Sequence, residues 1–347
     1  MTRVLVVDDS ALMRRHLREM LERDGAFEVH TARNGAEALE QIQQLDPQVV
    51  TLDVNMPVMD GLTCLAHVME EMPRPVVMVS SLTSEGALAT FEALALGAVD
   101  YIAKPGGTVS LNMQQEVEEL RAKVAAAAGA RVIGPQRLRE RLQRQHRARP
   151  APLQRPRLTT GVVLIGVSTG GPGVLGDVLG GLPREFPLPI VIAQHIPASF
   201  SGPLANRLNG ECAVRVEELT STRPLEPGLV LVGRGDADVV LTRRANGAAA
   251  RCVPVDEHRW HPSVDRLVRS SFACFRPDQI IAVELTGMGD DGAEAMAELH
   301  AAGARTIAES AESAVVFGMP AELIHRGGAS VVLAADGVAG QLLDWVR

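Results

Sequence analysis

Two doubly wound α/β domains built on parallel sheets are predicted by three features of this 347-residue sequence. Short β-branched apolar runs alternate with helical patterns through the first 120 residues. The rhythm then stops in an Arg- and Pro-rich stretch, and from Gly161 it starts again. Continuous apolar strands separated by helices are what a sheet covered on both faces requires. The expected organisation is a first domain at 1–120, a linker at 121–157 and a second domain at 158–347.

In the first domain Val4–Val7 reads as a fully buried strand, and Ser10 as the cap of a helix over Ala11–Leu21. Val49–Leu52 is a second strand ending at Asp53, Val76–Val79 a third ending at Ser80, and Val99–Ala103 a fourth ending at Lys104. Helical patterns fall at Ala36–Leu45 and Ala87–Leu96. In the linker, Arg149-Pro150-Ala151-Pro152 and Arg155-Pro156 favour an extended tether, with a short helix at Leu138–Leu142. In the second domain the strand candidates are Val162–Ile165, Ile190–Ala193, Leu229–Val232, Val239–Leu241 and Ile280–Leu285. The helix candidates are Val174–Leu179, Ser199–Leu208, Ser263–Phe275 and Ala293–Ala301.

Composition narrows the function classes. Hydrophobic content of 46% with 22% charged residues fits a water-soluble globular chain. No apolar run approaches the roughly 18 residues of a membrane span, and Asp8-Asp9 stand where a signal peptide needs a cleavage site. The expectation is a cytoplasmic monomer without membrane insertion. Four scattered cysteines with no C-x-x-C spacing read as small buried hydrophobes. The net charge of −8 conceals an asymmetry: residues 1–120 carry 8 basic and 19 acidic side chains, and 121–157 carry 11 basic and one acidic. That basic segment lacks interleaved aromatics, so it reads as a tether lying on acidic surfaces rather than a nucleic-acid site.

Strand ends of a parallel sheet converge at one edge. In the first domain this gathers Asp8, Asp9, Asp53, Ser80 and Lys104. Three carboxylates repel and call for a cation, and hard oxygen ligands suit Mg²⁺. With only two lysines against 32 arginines, Lys104 at the convergence point marks a place for a compact point charge. Asp8-Asp9-Ser10, Leu52-Asp53, Met56-Pro57, Met59-Asp60-Gly61, Ser80-Ser81 and Tyr101 ahead of Lys104-Pro105 together resemble a response-regulator receiver domain. The resemblance implies a flavodoxin-like fold in which Asp53 takes a phosphoryl group from a histidine kinase. It also implies that Asp8, Asp9, Asp53 and the Asn55 carbonyl hold Mg²⁺. Ser80 and Lys104 would contact the phosphoryl group, Tyr101 would switch rotamer, and the Lys104-Pro105 bond is often cis in this family.

In the second domain Val162–Ile165 drives into Gly166-Val167-Ser168-Thr169-Gly170-Gly171-Pro172, a strand-turn-helix with a hydroxyl at its tip. This is either a G-x-S-x-G nucleophile elbow or a phosphate cradle. A dinucleotide loop wants an acid at the end of the next strand, and a P-loop wants a lysine after the turn. The next strand ends in Gln194-His195 and no lysine follows the turn. A base at His195 therefore fits better than a ribose contact. A fused nucleotide-binding output domain is the alternative reading. A third strand end, Thr286-Gly287-Met288-Gly289-Asp290-Asp291-Gly292, supplies an acid, and spacing leaves Asp290 and Asp291 both open. His258 and His261, in a polar loop, are weaker base candidates.

Those three loops, with Pro262-Ser263-Val264-Asp265 and Val315-Val316-Phe317-Gly318-Met319-Pro320, resemble the chemotaxis protein-glutamate methylesterase/glutaminase family, and the receiver-linker-hydrolase order matches as well. The resemblance implies a Rossmann-like methylesterase domain that hydrolyses glutamate methyl esters and glutamine amides on methyl-accepting chemoreceptors. Its triad carries over to Ser168, His195 and Asp291, its oxyanion donor to the Met288 N–H, and its histidine-orienting neighbour to Thr169. It implies no cofactor in the hydrolase domain. The receiver is expected to restrain the hydrolase until Asp53 is phosphorylated. The chain departs from the family at Arg234-Gly235-Asp236-Ala237-Asp238, where Pro-Gly-Asp-x-His is frequent, and at Asn55, where an acid is common.

Overall fold

The computed structural model describes residues 1–81, 83–104, 113–130, 132 and 157–346, which fall into two compact units, Met1–Gln143 and Arg144–Arg347. The first unit runs β1 (Thr2–Val7), α1 (Ala11–Glu22), β2 (Phe27–Ala32), α2 (Gly35–Leu45), β3 (Val49–Asp53), α3 (Gly61–Glu71), β4 (Val76–Ser80), α4 (Ser84–Leu96), β5 (Asp100–Ala103) and α5 (Met113–Ala128). Its sheet is parallel in the order β2-β1-β3-β4-β5. Val4, Leu5, Val50, Leu52, Val77 and Met78 are fully buried, as strands covered on both faces must be.

The helices start where side chains satisfy free N–H groups. Ser10 Oγ accepts from Met13 N (3.3 Å), Asn34 Oδ1 from Glu37 N (2.9 Å), Asp60 Oδ1 from Thr63 N (2.8 Å) and Thr83 Oγ1 from Gly86 N (3.1 Å). α4 consequently begins ahead of the apolar pattern that announces it, and Gly97 ends it in the left-handed region at φ 114°. Strand β2 and helix α3 lie outside the sequence expectation. β2 lies at the sheet edge and mixes Glu28, His30 and Thr31 with its buried residues, so it has no continuous apolar run to signal it. Helix α5 continues past the expected boundary at residue 120 to Ala128. Residues 133–156, with the expected tether and the Leu138–Leu142 helix, lie outside the described residues, as does Pro105.

The second unit contains β6 (Val162–Val167), α6 (Gly171–Gly180), β7 (Ile190–Gln194), α7 (Ala198–Glu211), β8 (Arg215–Leu219), β9 (Arg223–Pro224), β10 (Leu229–Gly233), β11 (Asp238–Arg244), β12 (Gly247–Val253), α8 (Val264–Ser271), β13 (Ile280–Glu284), α9 (Ala293–Ala301), β14 (Arg305–Glu309), α10 (Met319–His325), β15 (Val331–Leu333) and α11 (Ala335–Trp345). Seven strands form a parallel sheet in the order β15-β14-β13-β6-β7-β10-β8. Strand β6 is the point where the chain first builds to one side, through β7, and later to the other, through β13. Side chains at its carboxyl end therefore face a crevice rather than a covering helix.

The expected strand at Val239–Leu241 exists but belongs elsewhere. It lies in β11, which pairs antiparallel with β12 in a separate three-stranded sheet completed by β9. The hairpin turns through Ala245-Asn246, and Gly247, at φ 123°, opens β12 opposite Arg244. All four cysteines are free thiols. Among the described residues, no helix is long and apolar enough to cross a membrane.

Candidate active site

Register brings the candidate nucleophile and base together. β6 pairs with β7 so that Val167 stands beside Gln194, and β13 pairs with β6 so that Glu284 stands beside Gly166. The ladder continues beyond the strands: Ser168 N donates to the Thr286 carbonyl (2.9 Å) and His195 N to the Val167 carbonyl (3.1 Å). Ser168, His195 and Thr286 thus form the row above three paired strands, roughly 4.8 Å apart. The Gln194 side chain ties this row together. Its amide nitrogen donates to the Ser168 carbonyl and the His195 carbonyl, each at 3.0 Å. Gly170, at φ 80°, makes the turn that begins α6, and Val315 fills the space a Cβ there would need.

The structure decides between the adjacent acids. Asp290 is exposed, whereas Asp291 is buried with Oδ2 at 2.8 Å from His195 Nε2. Asp291 also accepts from Val264 N (2.8 Å), Asp265 N (3.0 Å) and Ser263 Oγ (3.1 Å), so its carboxylate sits on the N-terminus of α8. Burial pushes this carboxyl up, but the His195 hydrogen bond and the backbone donors outweigh it and hold the pKa below the usual carboxylate value. A second buried acid behaves oppositely. Glu284 is fully buried, both its oxygens lack a hydrogen-bond partner among the described residues, and burial with the nearby charges of Asp291 and Asp265 pushes its pKa far up.

With Nε2 committed to Asp291, Nδ1 of His195 is buried and has no partner among the described residues. It is the nitrogen available to Ser168, whose Oγ also makes no hydrogen bond among the described residues. Met288 N–H likewise donates to no acceptor there, although its loop is held tightly. Gly287 N donates to Val316 O (3.0 Å), and Gly318 N and Met319 N donate to Gly287 O (3.1 and 2.9 Å). Thr286 braces the same loop. Its N–H donates to buried Glu309 (2.8 Å), its hydroxyl donates to the Thr169 carbonyl (2.8 Å), and Val316 N donates to that hydroxyl (2.9 Å). Thr169 is buried next to the nucleophile.

Neither weaker histidine joins this group. His261 Nδ1 pairs with Asp238 Oδ1 (2.9 Å), and His258 pairs with Asp256, whose hydrogen bond raises the imidazole pKa. Asp238 gives the departure at 234–238 a structural role. Fully buried, it also accepts from Ser263 N (2.7 Å) and Arg266 (2.7 Å), and so anchors the start of α8 where Asp291 docks. Sequence reasoning missed Gln194 as a brace, along with Ser263, Glu309 and Trp260. Gln194 is adjacent to the base in sequence, but nothing in its pattern shows that its side chain folds back onto two carbonyls. Trp260 stacks on His195 with ring centroids 5.8 Å apart and planes inclined by 17°.

In the first unit the strand ends converge as expected. Carboxylate oxygens of Asp8, Asp9 and Asp53 lie within 4.8 Å of one another, with Asp8 and Asp53 buried and Asp9 exposed. Lys104 Nζ lies 3.0 Å from Asp8 Oδ2 and 2.8 Å from Asp53 Oδ2. Burial would lower the Lys104 pKa, but these carboxylates carry it above its ordinary value. Burial raises that of Asp53 despite the opposing hydrogen bond from Lys104, and the Asp8 charge adds to the rise. Asn55 is exposed beside the pocket. Ser80 Oγ is turned to the Gly86 carbonyl (3.1 Å), and the Tyr101 ring is buried with Lys123 Nζ 5.1 Å from its centroid.

Gly61 keeps this pocket in shape. A Cβ there would lie 2.0 Å from the Asp53 carbonyl oxygen and 3.0 Å from Val54 Cα. Gly61→Ala should therefore displace the end of β3, lower the stability of the first unit by about 1–3 kcal/mol and slow its labelling by a small phosphodonor. Thermal melting and labelling with a small phosphodonor check this; wild-type labelling in a stably folded variant would contradict it.

Comparison with known proteins finds a family match for each unit. Residues 4–114 match the response regulator receiver domain and residues 163–342 the CheB methylesterase family. A protein-glutamate methylesterase/protein-glutamine glutaminase of Rhodospirillum rubrum is 55% identical, with 100% of this chain and 96% of the relative covered. One of Rhodopseudomonas palustris is 49% identical, with 99% and 98% covered. The crystal structure of the Thermotoga maritima CheB methylesterase catalytic domain is similar with a TM-score of 0.52 and 34% identity, over 55% of this chain and 100% of that one. The methylesterase match occupies the segment for which a nucleotide-binding output domain was the alternative reading. The chain therefore belongs to the protein-glutamate methylesterase/protein-glutamine glutaminase family, a response-regulator receiver followed by a CheB methylesterase domain.

Proposed function

We propose that the chain removes methyl groups from glutamate methyl esters of methyl-accepting chemoreceptors, deamidates receptor glutamines, and is switched on by phosphorylation of Asp53. The observation that carries the hydrolytic reading is the convergence at the end of β6. A buried His195–Asp291 pair at 2.8 Å stands one strand from Ser168, and Gly287, the neighbour of Met288, packs against the Ser168 Cβ.

In this reading Ser168 Oγ attacks the side-chain carbonyl carbon while His195 Nδ1 takes its proton. The Met288 N–H stabilises the oxyanion, and such donors are worth about 3–4 kcal/mol each. The C–O bond to methoxide breaks as His195 returns the proton, so methanol leaves and an acyl-serine remains. Water then attacks this ester with His195 again as base, and Ser168 recovers its proton as the glutamate carboxylate departs. With a glutamine substrate the leaving group is ammonia. Asp291 stays ionised throughout, holding the imidazole and stabilising the imidazolium. Thr169 orients the histidine from the nucleophile's side.

Asp8, Asp9 and Asp53, with the Asn55 carbonyl, fit Mg²⁺: a cluster of hard oxygen donors in which Asp8 and Asp53 are buried and Asp9 and Asn55 face solvent. Bound there, the ion supplies charge neutralisation for phosphoryl transfer from a chemotaxis histidine kinase. Lys104 pairs with the transferred group. Ser80 leaves the Gly86 carbonyl to bond a phosphoryl oxygen, and Tyr101 changes rotamer with it. The site is intracellular in this reading, where kinase and receptor tails are found, and the enzyme works as a monomer.

The test is methanol release from methylated receptor membranes with and without a small phosphodonor. The phosphodonor should raise wild-type turnover about 5- to 150-fold, the usual range for a coupling of this kind. Asp53→Ala should keep basal turnover and lose the response. An undiminished response in Asp53→Ala would remove Asp53 as the acceptor, and no methanol release from any receptor membrane would remove the hydrolytic reading.

A further inference from the structure

We propose that Trp260 is a positioning residue for the catalytic base: its indole fixes the plane of the His195 imidazole so that Nδ1 stays aimed at Ser168. The inference rests on the triad reading above and adds a residue outside it.

Two restraints are needed to hold an imidazole. Asp291 supplies one, at Nε2, but a single hydrogen bond leaves the ring free to tilt about it. Nδ1 has no partner among the described residues to prevent that tilt. The face of Trp260, 5.8 Å away and inclined by only 17°, supplies the second. This is the offset-stacked range in which aromatic pairs attract. An imidazole tilted by even 1 Å at Nδ1 can cost about 10²-fold in rate.

The indole is itself held. Trp260 is half-buried in the loop between β12 and α8, and that loop is tied down on both sides of it. Arg266 donates to Asp238 (2.7 Å) and to the Pro254 carbonyl (2.8 Å) and pairs with Asp256 (3.1 Å). On the other side His261 and Ser263 N both reach Asp238. The Arg259 guanidinium carbon lies 5.0 Å from the indole centroid, a cation–π contact. Gly289 passes alongside, with the indole nitrogen 3.6 Å from where a Cβ would stand. Trp260 therefore spans the base and the loop that carries Met288, and Asp238 supports both the stack and the docking site of Asp291.

The test uses the full chain and two readouts. One is methanol release resolved into kcat and KM. The other is the rate at which a small sulfonyl fluoride modifies Ser168, which depends on the base but not on receptor docking. Trp260→Ala should lower kcat and the sulfonylation rate together, about 10- to 100-fold, with KM changed less than about twofold. Trp260→Phe, which keeps a ring in the stack, should recover both to within about threefold. A wild-type sulfonylation rate in Trp260→Ala, a loss confined to KM, or equal loss in the Phe variant at wild-type melting temperature would each overturn the proposal. Ser168→Ala is the control for the underlying reading: there both readouts must vanish whatever residue 260 does.

Discussion

Ser168→Ala should abolish methanol release, with turnover falling on the order of 10⁴- to 10⁶-fold, as when a triad nucleophile is removed elsewhere. The structure argues that this loss is chemical rather than structural. Ser168 Oγ makes no hydrogen bond among the described residues, so deleting it leaves no buried partner unsatisfied. Its main-chain contacts, to Thr286 O and from Gly171 N and the Gln194 amide, survive in alanine. The Cβ, which packs against Gly287, is retained. Melting temperature and receptor binding should therefore be those of wild type while product disappears. A variant with more than a hundredth of wild-type turnover would show that another group attacks the ester.

The second large effect belongs to Asp291. Asp291→Asn should lower kcat about 10⁴-fold, because an amide can present its NH₂ to the imidazole and favour the wrong tautomer. The substitution also disturbs the fold. The carboxylate accepts four hydrogen bonds, and an amide nitrogen facing Val264 N or Asp265 N sets donor against donor. Leaving such groups unpaired costs about 1–3 kcal/mol, so the melting temperature should fall too. Asp290→Asn, one residue away and exposed, is the matched control and should change neither. Equal loss in both variants would mean that the structure assigns the acid wrongly. Since the Asp291 pKa is held below the usual carboxylate value, its contribution to stability is complete above the ordinary carboxylate range and is lost as pH falls through the depressed value.

Much of this molecule is legible in one dimension because parallel sheets write themselves plainly. A strand covered on both faces reads as a nearly continuous apolar run, and its charged and polar residues gather mostly where it emerges. Asp53, Ser80, Lys104, Ser168 and His195 each stand at such an exit. Among the strands that escaped notice, β2 is an edge strand of mixed burial, β12 belongs to a small antiparallel sheet, and β14 is buried throughout but carries Arg305, Thr306 and Glu309, so none shows a continuous apolar run.

By itself the sequence determined the two-domain α/β architecture, the residues at the strand ends and the choice of hydrolysis over nucleotide binding, since each depends on local pattern and chain order. Only the tertiary structure buried Asp291 against His195 while leaving Asp290 exposed, left Nδ1 of His195 without a partner among the described residues, folded Gln194 back onto two carbonyls and laid Trp260 over the imidazole. Those outcomes depend on which residues distant in the chain share a few ångströms. Residues 96 positions apart form the His195–Asp291 bond, and no periodicity encodes such a distance. It is set by sheet order, by the buried Asp238 that anchors α8, and by the N–H groups at that helix end, which turn one of two adjacent aspartates inward.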